Sequence, residues 1–548
     1  MARLRILLFV LLAVVLAACQ TTAPTERMPS APLLEGLGTH SMAITTPNLQ
    51  VQRYFNQGLI LAYGFNHAEA ARSFRAAQQL DPDCAICYWG EALVLGPNIN
   101  APMDPADNPS AWQARETARR LSFASHVSAK ERSLIEALSH RYAETAPVDR
   151  AALDRAYADG MRAVAAQYPT DADVQTLFAE ALMDTTPWDY WEADDSPKPV
   201  TEEFTAAIEA ALAQDLHHPG ANHLYIHAVE SVHPEKGIAA AERLDGLVPG
   251  AGHLVHMPGH IYIRVGRYHD AVRVNQAAAA ADERYIAQCN AQGAVPLGYY
   301  PHNLHFLWFA AMMGGEGEIA IATARKIDAE RTEDMIEVER LRPALVYALV
   351  RFERWDDILA LPAPPEEQRY TRAMWHYGRG LARLQREGTT AAIEELDALA
   401  AIADHESAPT LEQPFFYGWS QIQIARHLLQ GAVAGAQGDL DALIDDVQTA
   451  VATQDALPYM EPPYWYYPVR QSLGVALMQA GRYAEAEAVY REDLAYFAEN
   501  GWSLHGLTQS LRAQDRRAEA AVTQARFDKA WTHADVAPER LTVVPPTH

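Results

Sequence analysis

Histidine is the residue whose placement in this chain points to chemistry. Of 21 histidines, eleven fall between His217 and His305. In Asn222-His223-Leu224-Tyr225-Ile226-His227-Ala228-Val229-Glu230, the residues His223, His227 and Glu230 stand at i, i+4 and i+7. On a helix that spacing puts two imidazoles and a carboxylate on one face. In Gly252-His253-Leu254-Val255-His256-Met257-Pro258-Gly259-His260 the intervals between histidines are three and four, and His302 and His305 are again three apart. Neutral imidazole with carboxylate suits Zn, Fe, Cu or Ni, and two histidines one turn apart can reach one ion. These eight residues are therefore candidate ligands of a transition metal. They outnumber the ligands of a single ion, so they fit two ions, or one ion with outer histidines that orient the inner ones. An ion with an open position would activate water or oxygen, which makes an enzyme conceivable without naming its reaction. Two blander readings fit the same residues: a protonatable pocket for an anionic ligand or substrate, and simple packing.

Other motifs carry less. There is no HExxH pair of the zinc-hydrolase kind, no glycine-rich phosphate loop and no serine nucleophile elbow. Beyond Cys19 the cysteines are Cys84, Cys87 and Cys289, too few for a disulfide-built scaffold. Cys84 and Cys87 read as a short-loop disulfide or two buried thiols, because a lone CxxC without a second pair is a weak metal signal. Asp184 ends a helical stretch four residues after Glu180, and the following Trp188-Asp189-Tyr190-Trp191 suits a cover over a pocket, with helix capping and surface packing explaining these residues equally well. His67 reads as a turn residue, and the run Tyr464-Trp465-Tyr466-Tyr467 as core ahead of a partner-binding surface.

The elements that must position these side chains are helical. Half of the sequence is hydrophobic, and periodicity is helical almost throughout. Tyr54, Gly58, Leu61, Ala70, Phe74, Ala77 and Pro82 follow a spacing that resembles the tetratricopeptide repeat, a helix–turn–helix unit of about 34 residues. Similar patterns run through Gly259, Tyr262, Ala271 and Ala278, through Leu473, Gly474, Leu477 and Ala486, and less fully from Trp502 through Gly506 and Ala518 to Ala525. Gly266-Arg267-Tyr268 and Gly481-Arg482-Tyr483 serve as turns. The resemblance implies an all-α fold, a tetratricopeptide-like α-solenoid of antiparallel helix pairs, with a concave groove of the kind that binds a protein or peptide partner. It also supplies a ruler, since in that family the groove is lined by the second, fifth and ninth residues of each unit's first helix. Units starting at Gly252 and Pro301 put His253, His256 and His260 at second, fifth and ninth, and His302 and His305 at second and fifth. For the preceding unit, a repeat one residue shorter puts His223, His227 and Glu230 at fifth, ninth and twelfth. Three neighbouring helices should then turn their histidines into one stretch of groove.

The chain begins with two arginines, an apolar run from Ile6 to Ala18, and Leu16-Ala17-Ala18-Cys19. This order is that of a secretory signal, and its end resembles a lipobox in which Cys19 is lipidated. Gln20 after the cysteine resembles sorting to the outer membrane. The expected layout is a signal peptide over 1–18 and a flexible stalk over 19–46. A histidine-bearing solenoid follows over 47–330, then a second solenoid over 331–540 and a tail over 541–548. The expected home is the cell envelope, lipid-anchored and facing the periplasm. A net charge of −26 argues against nucleic acid as a partner, because phosphate binding needs a basic surface.

Overall fold

A computed structural model describes residues 31–537 except 148, 292, 336 and 337. The expected signal peptide, Cys19 and the tail over 541–548 lie outside the described residues. Among the described residues there is no strand, only two isolated bridges, and helices follow one another in antiparallel pairs. None of these helices is long and apolar enough to cross a membrane. Numbering only those that build the site, they are α1 (Leu49–Tyr63), α2 (His67–Leu80), α3 (Pro219–Val229), α4 (Gly252–His256), α5 (Pro258–Arg264), α6 (Tyr268–Cys289) and α7 (Tyr300–Gly314).

The pairing follows from where small residues meet large ones. Phe74 of α2 is fully buried, and its ring lies between Gly58 of α1 and Gly90 of the next helix. A Cβ at either glycine would come within 2.8 Å and 2.4 Å of that ring. Tyr490 sits in the same way between Gly474 and Gly506. The ring fills the space between neighbouring units only because glycine leaves it open. The turns repeat as well: Gly266 and Gly481 take φ of 79° and 70°, a left-handed conformation that glycine adopts without steric penalty. The all-α, tetratricopeptide-like architecture expected from the spacing is the architecture found. Cys84 and Cys87 form a disulfide at the start of the helix Ala85–Val94.

Two observations bear on the expected layout. Residues 31–46, expected within the flexible stalk, are laid against the first helices. The buried Gln57 side chain accepts from Leu34 N at 2.7 Å and donates to Pro32 O at 2.9 Å, and Tyr54 donates to Ala31 O. Gly250 N donates to Gly36 O, and Glu131 accepts from both Thr45 N and Thr45 Oγ1. A segment without helical pattern is thus held by side chains that satisfy its backbone. One hydrophobic core runs from Ala31 to Ala520, across the boundary expected near residue 330. The C-terminal part folds back onto the middle of the chain. Trp502 Nε1 donates to Met312 O at 3.1 Å, Tyr268 OH donates to Ala498 O, and Asp535 accepts from Gly317 N and Glu318 N.

Candidate metal centre

The histidines stand on the first helices of three consecutive pairs, α3, α4–α5 and α7, as the repeat spacing requires. Pro258 has no N–H to give to the helix ladder, and the chain breaks there into α4 and α5. Two glycines let α6 come close. A Cβ at Gly252 would overlap the Asp282 carboxylate, and one at Gly259 would lie 2.7 Å from Asn275 Nδ2. With that space open, Asn275 Oδ1 accepts from His256 Nδ1 at 2.7 Å.

Two three-histidine sets result. In the first, His223, His227 and His253 bring ligand nitrogens within 4.8 Å of one another; in the second, His256, His260 and His302 do the same. Hydrogen bonds fix which nitrogen is bare. His223 donates from Nδ1 to Tyr63 O at 2.6 Å, and His227 from Nδ1 to Glu230 Oε1 at 3.2 Å. Their Nε2 atoms, and both ring nitrogens of His253, are buried with no hydrogen-bond partner. His260 Nδ1 donates to Glu461 Oε2 at 2.7 Å and lies 3.0 Å from Glu230 Oε2. His256 and His260 therefore meet through their Nε2 atoms, 2.9 Å apart. Two lone pairs cannot face each other at that distance without a proton or a cation between them. Each set also has its own phenyl wall. Phe65 lies 4.6, 6.3 and 5.6 Å from the rings of His223, His227 and His253, and Phe306 lies 4.6, 4.4 and 4.8 Å from those of His256, His260 and His302.

The surroundings are closed. Exposure of six of these histidines runs from 0% at His223 and His256 to 6% at His253, and His302 is half-buried. Most of the rings are buried rather than exposed on an open groove. Burial, and then the neighbouring imidazoles, hold His223, His253 and His256 well below the usual histidine range. His302 and His305 are lowered too, by burial and by charges that include Arg340. Burial opposes a charged His260, but the Glu230 and Glu461 carboxylates outweigh it and push its pKa up to about 10. Burial likewise works to raise Glu230, and the opposing charges of His260 and His227 hold it below the carboxylate range instead. Glu461 is raised by burial and by Glu230 beside it.

Seven of the eight candidates lie together in the structure. His305 stands apart, against the Trp308 ring at 5.6 Å and outside both sets. Glu230 sits behind the imidazoles, in a third group with His260 and Glu461. Glu461, Asn275, Tyr63 and Phe65 were not singled out by the sequence. Glu461 comes from a distant loop beside a proline pair that reads only as a break, and Arg340 donates to Pro462 O next to it. Phe306, one turn beyond His302, was within reach of helical spacing. Of the remaining candidates, Asp184 pairs with buried Arg141 at 2.6 Å and Trp188 packs edge-on against His227 at 5.0 Å. His67 begins α2, and Tyr464 to Tyr467 are core.

A further group, His40, Asp173 and His218, has metal-like composition but different wiring. Ala221 N donates to His218 Nδ1 at 3.1 Å, so the proton of that ring is on Nε2, which donates to Asp173 Oδ1 at 3.2 Å. Tyr63 OH donates to the same oxygen and His40 Nε2 lies 2.9 Å from it. Burial would raise the Asp173 carboxyl, and these partners hold it well below its ordinary value instead. This is a satisfied hydrogen-bond hub that docks the N-terminal segment.

No family model matches this chain, and no curated protein matches it either. Among solved structures, a human IFIT1 dimer with m7Gppp-AAAA is similar at 12% identity and a TM-score of 0.31, covering 94% of this chain and 97% of that one. Yeast Tom70 is similar at 12% identity and a TM-score of 0.29, over 90% and 94% of the two chains. The P58(IPK) TPR domain is similar at 10% identity and a TM-score of 0.21, over 85% and 98%. At these scores the likeness carries no functional argument, and the repeat architecture rests on the helix packing described above.

Proposed function

We propose that this chain is a metal-binding protein of the cell envelope, with a transition metal held by the enclosed histidines of a tetratricopeptide-like solenoid. One observation carries the reading: the Nε2 atoms of His223 and His227 and the ring nitrogens of His253 converge, buried, without partners. Each such orphan costs about 1–3 kcal/mol, and a shared ion is the partner that suits several lone pairs at once. The other nitrogen of each well-placed ring donates to a carboxylate, amide or carbonyl oxygen, the arrangement that fixes ring orientation and raises basicity in metal sites. All-imidazole sets suit Zn and Cu better than the hard cations. Glu230 and Glu461 orient His227 and His260 and offset the charge of the ion. A protein or peptide partner, which the repeat resemblance implies, would dock away from this enclosed segment. The N-terminal lipid on Cys19 would tether the protein to the outer membrane.

Elemental analysis of the purified chain, before and after removal of metal and reloading with Zn, Cu, Fe or Ni, tests the reading. Bound metal that disappears when His223 and His256 are both replaced by alanine is expected. A wild-type chain that carries none and gains no thermal stability from any of the four would sink it. Fractionation of Cys19→Ala, expected to leave the membrane fraction, tests the anchor separately.

A further inference from the structure

We infer that the centre holds two ions, one in each three-histidine set, joined by a single small oxygen-donor ligand. The inference rests on the metal-binding reading and deepens it.

The six imidazoles do not form one pocket. They divide into two sets, each with its ligand atoms mutually within 4.8 Å, and each set faces its own phenyl ring, Phe65 or Phe306. The outer hydrogen bonds are divided in the same way. His223 and His227 are oriented by Tyr63 O and Glu230, and His256 and His260 by Asn275 and Glu461. A single ion takes about four ligands from such donors, so one ion serves one set. An ion in the second set alone leaves the Nε2 atoms of His223 and His227 without a partner, and an ion in the first alone leaves a proton between the facing Nε2 atoms of His256 and His260. The sets nevertheless adjoin: the rings of His227 and His260 are 5.6 Å apart, and those of His253 and His256 are 5.8 Å apart.

Three protein ligands leave one position open on a tetrahedral ion. Two open positions in adjoining sets are satisfied together by one bridging oxygen donor such as hydroxide, as in two-metal sites generally. The charges agree. The imidazoles of both sets bring none when neutral, while Glu230 and Glu461 place two buried carboxylates against His260. A pair of cations gives these carboxylates the compensation that one imidazolium gives only in part.

The test is the ratio of metal to protein. Full-length protein is stripped with chelator, loaded with Cu(II) and desalted, and the ratio is measured by mass spectrometry of the elements. Two ions per chain are expected. His223→Ala and His302→Ala should each lower the ratio to one, with folding verified by circular dichroism melts. Asn275→Leu, which removes no ligand, should weaken one of the two ions by about 10–100-fold and leave the other unchanged. His40→Ala should leave the ratio at two. One ion in the wild type, or two that survive both His223→Ala and His302→Ala, overturns the two-ion inference alone. None at all overturns the metal-binding reading with it. Electron paramagnetic resonance reads the bridge: a signal well below two full spins is expected, and two independent full-spin signals would refute the shared ligand.

Discussion

At the centre, four of the imidazoles are tied through one nitrogen and turned toward a neighbour's ring with the other. The oxygens they are tied to, Tyr63 O, Glu230, Asn275 and Glu461, accept at those contacts, so the free side of each ring, when the ring is neutral, is a bare nitrogen. Outer partners of this kind typically set metal affinity by 10–100-fold. Glu461→Ala is therefore expected to weaken metal binding by about that factor in a chelator competition, whereas Glu461→Gln, which still offers an oxygen, should lose less. Equal losses for the two would show that orientation of His260 is not what Glu461 supplies. Away from the centre, burial and the charge of Arg141 lower His67 to about 4, against about 6.5 in an unfolded chain. The unfolded state thus takes up a proton first as the pH falls. The stability linked to His67 is complete above about pH 6.5 and declines from there toward pH 4. His67→Gln should flatten that part of the stability profile measured by denaturant titration, and an unchanged profile would refute the assignment.

The helices themselves were legible because their packing is local. Gly58 and Phe74 belong to one repeat, and the histidines of α3, α4–α5 and α7 follow from the same count, so spacing alone carried them to one face. Relations set by the return of the chain were not legible. Nothing near Glu461 announces that it will meet His260, 201 positions away, and Asn275 looks like any polar residue of an amphipathic helix. Residues 31–46 misled because Thr, Pro, Ser and Gly without periodicity suggest a solvated stalk, whereas Gln57 supplies the backbone partners that a strand would otherwise give. Gln57→Leu removes both bonds to that segment, leaving part-buried backbone groups unpaired at up to about 1–3 kcal/mol each. Its cleavage within residues 31–46 should accelerate in limited proteolysis, and a cleavage rate equal to wild type would argue that the segment is held by other means. The glycine rule is equally direct. Gly90→Ala forces a methyl into the Phe74 ring and is expected to destabilise by about 1–3 kcal/mol, read as a lower melting temperature, with Phe74→Leu in the same chain recovering part of the loss.

Taken whole, the molecule is one core wound so that its C-terminal part seals its middle. Residues 31–330 alone should therefore not behave as a domain: without Trp502, Glu461 and the helices that carry them, the faces of α6 and α7 lie open. Circular dichroism melts of that fragment are expected to lack the cooperative transition of the full chain, and an equally sharp one would restore the two-solenoid division. Metal should act on the full chain as a ligand of the folded state only, adding about 2.7 kcal/mol at a hundred times its dissociation constant. The reach of Glu461 has a consequence in time. A chain emerging from a ribosome or a translocon offers the histidines of α3 to α7 long before residue 461 exists, so early metal would be held by rings whose orienting carboxylate has not arrived. Secure loading would then be the last event of maturation, and a bound ion would report that the C-terminal end has come home.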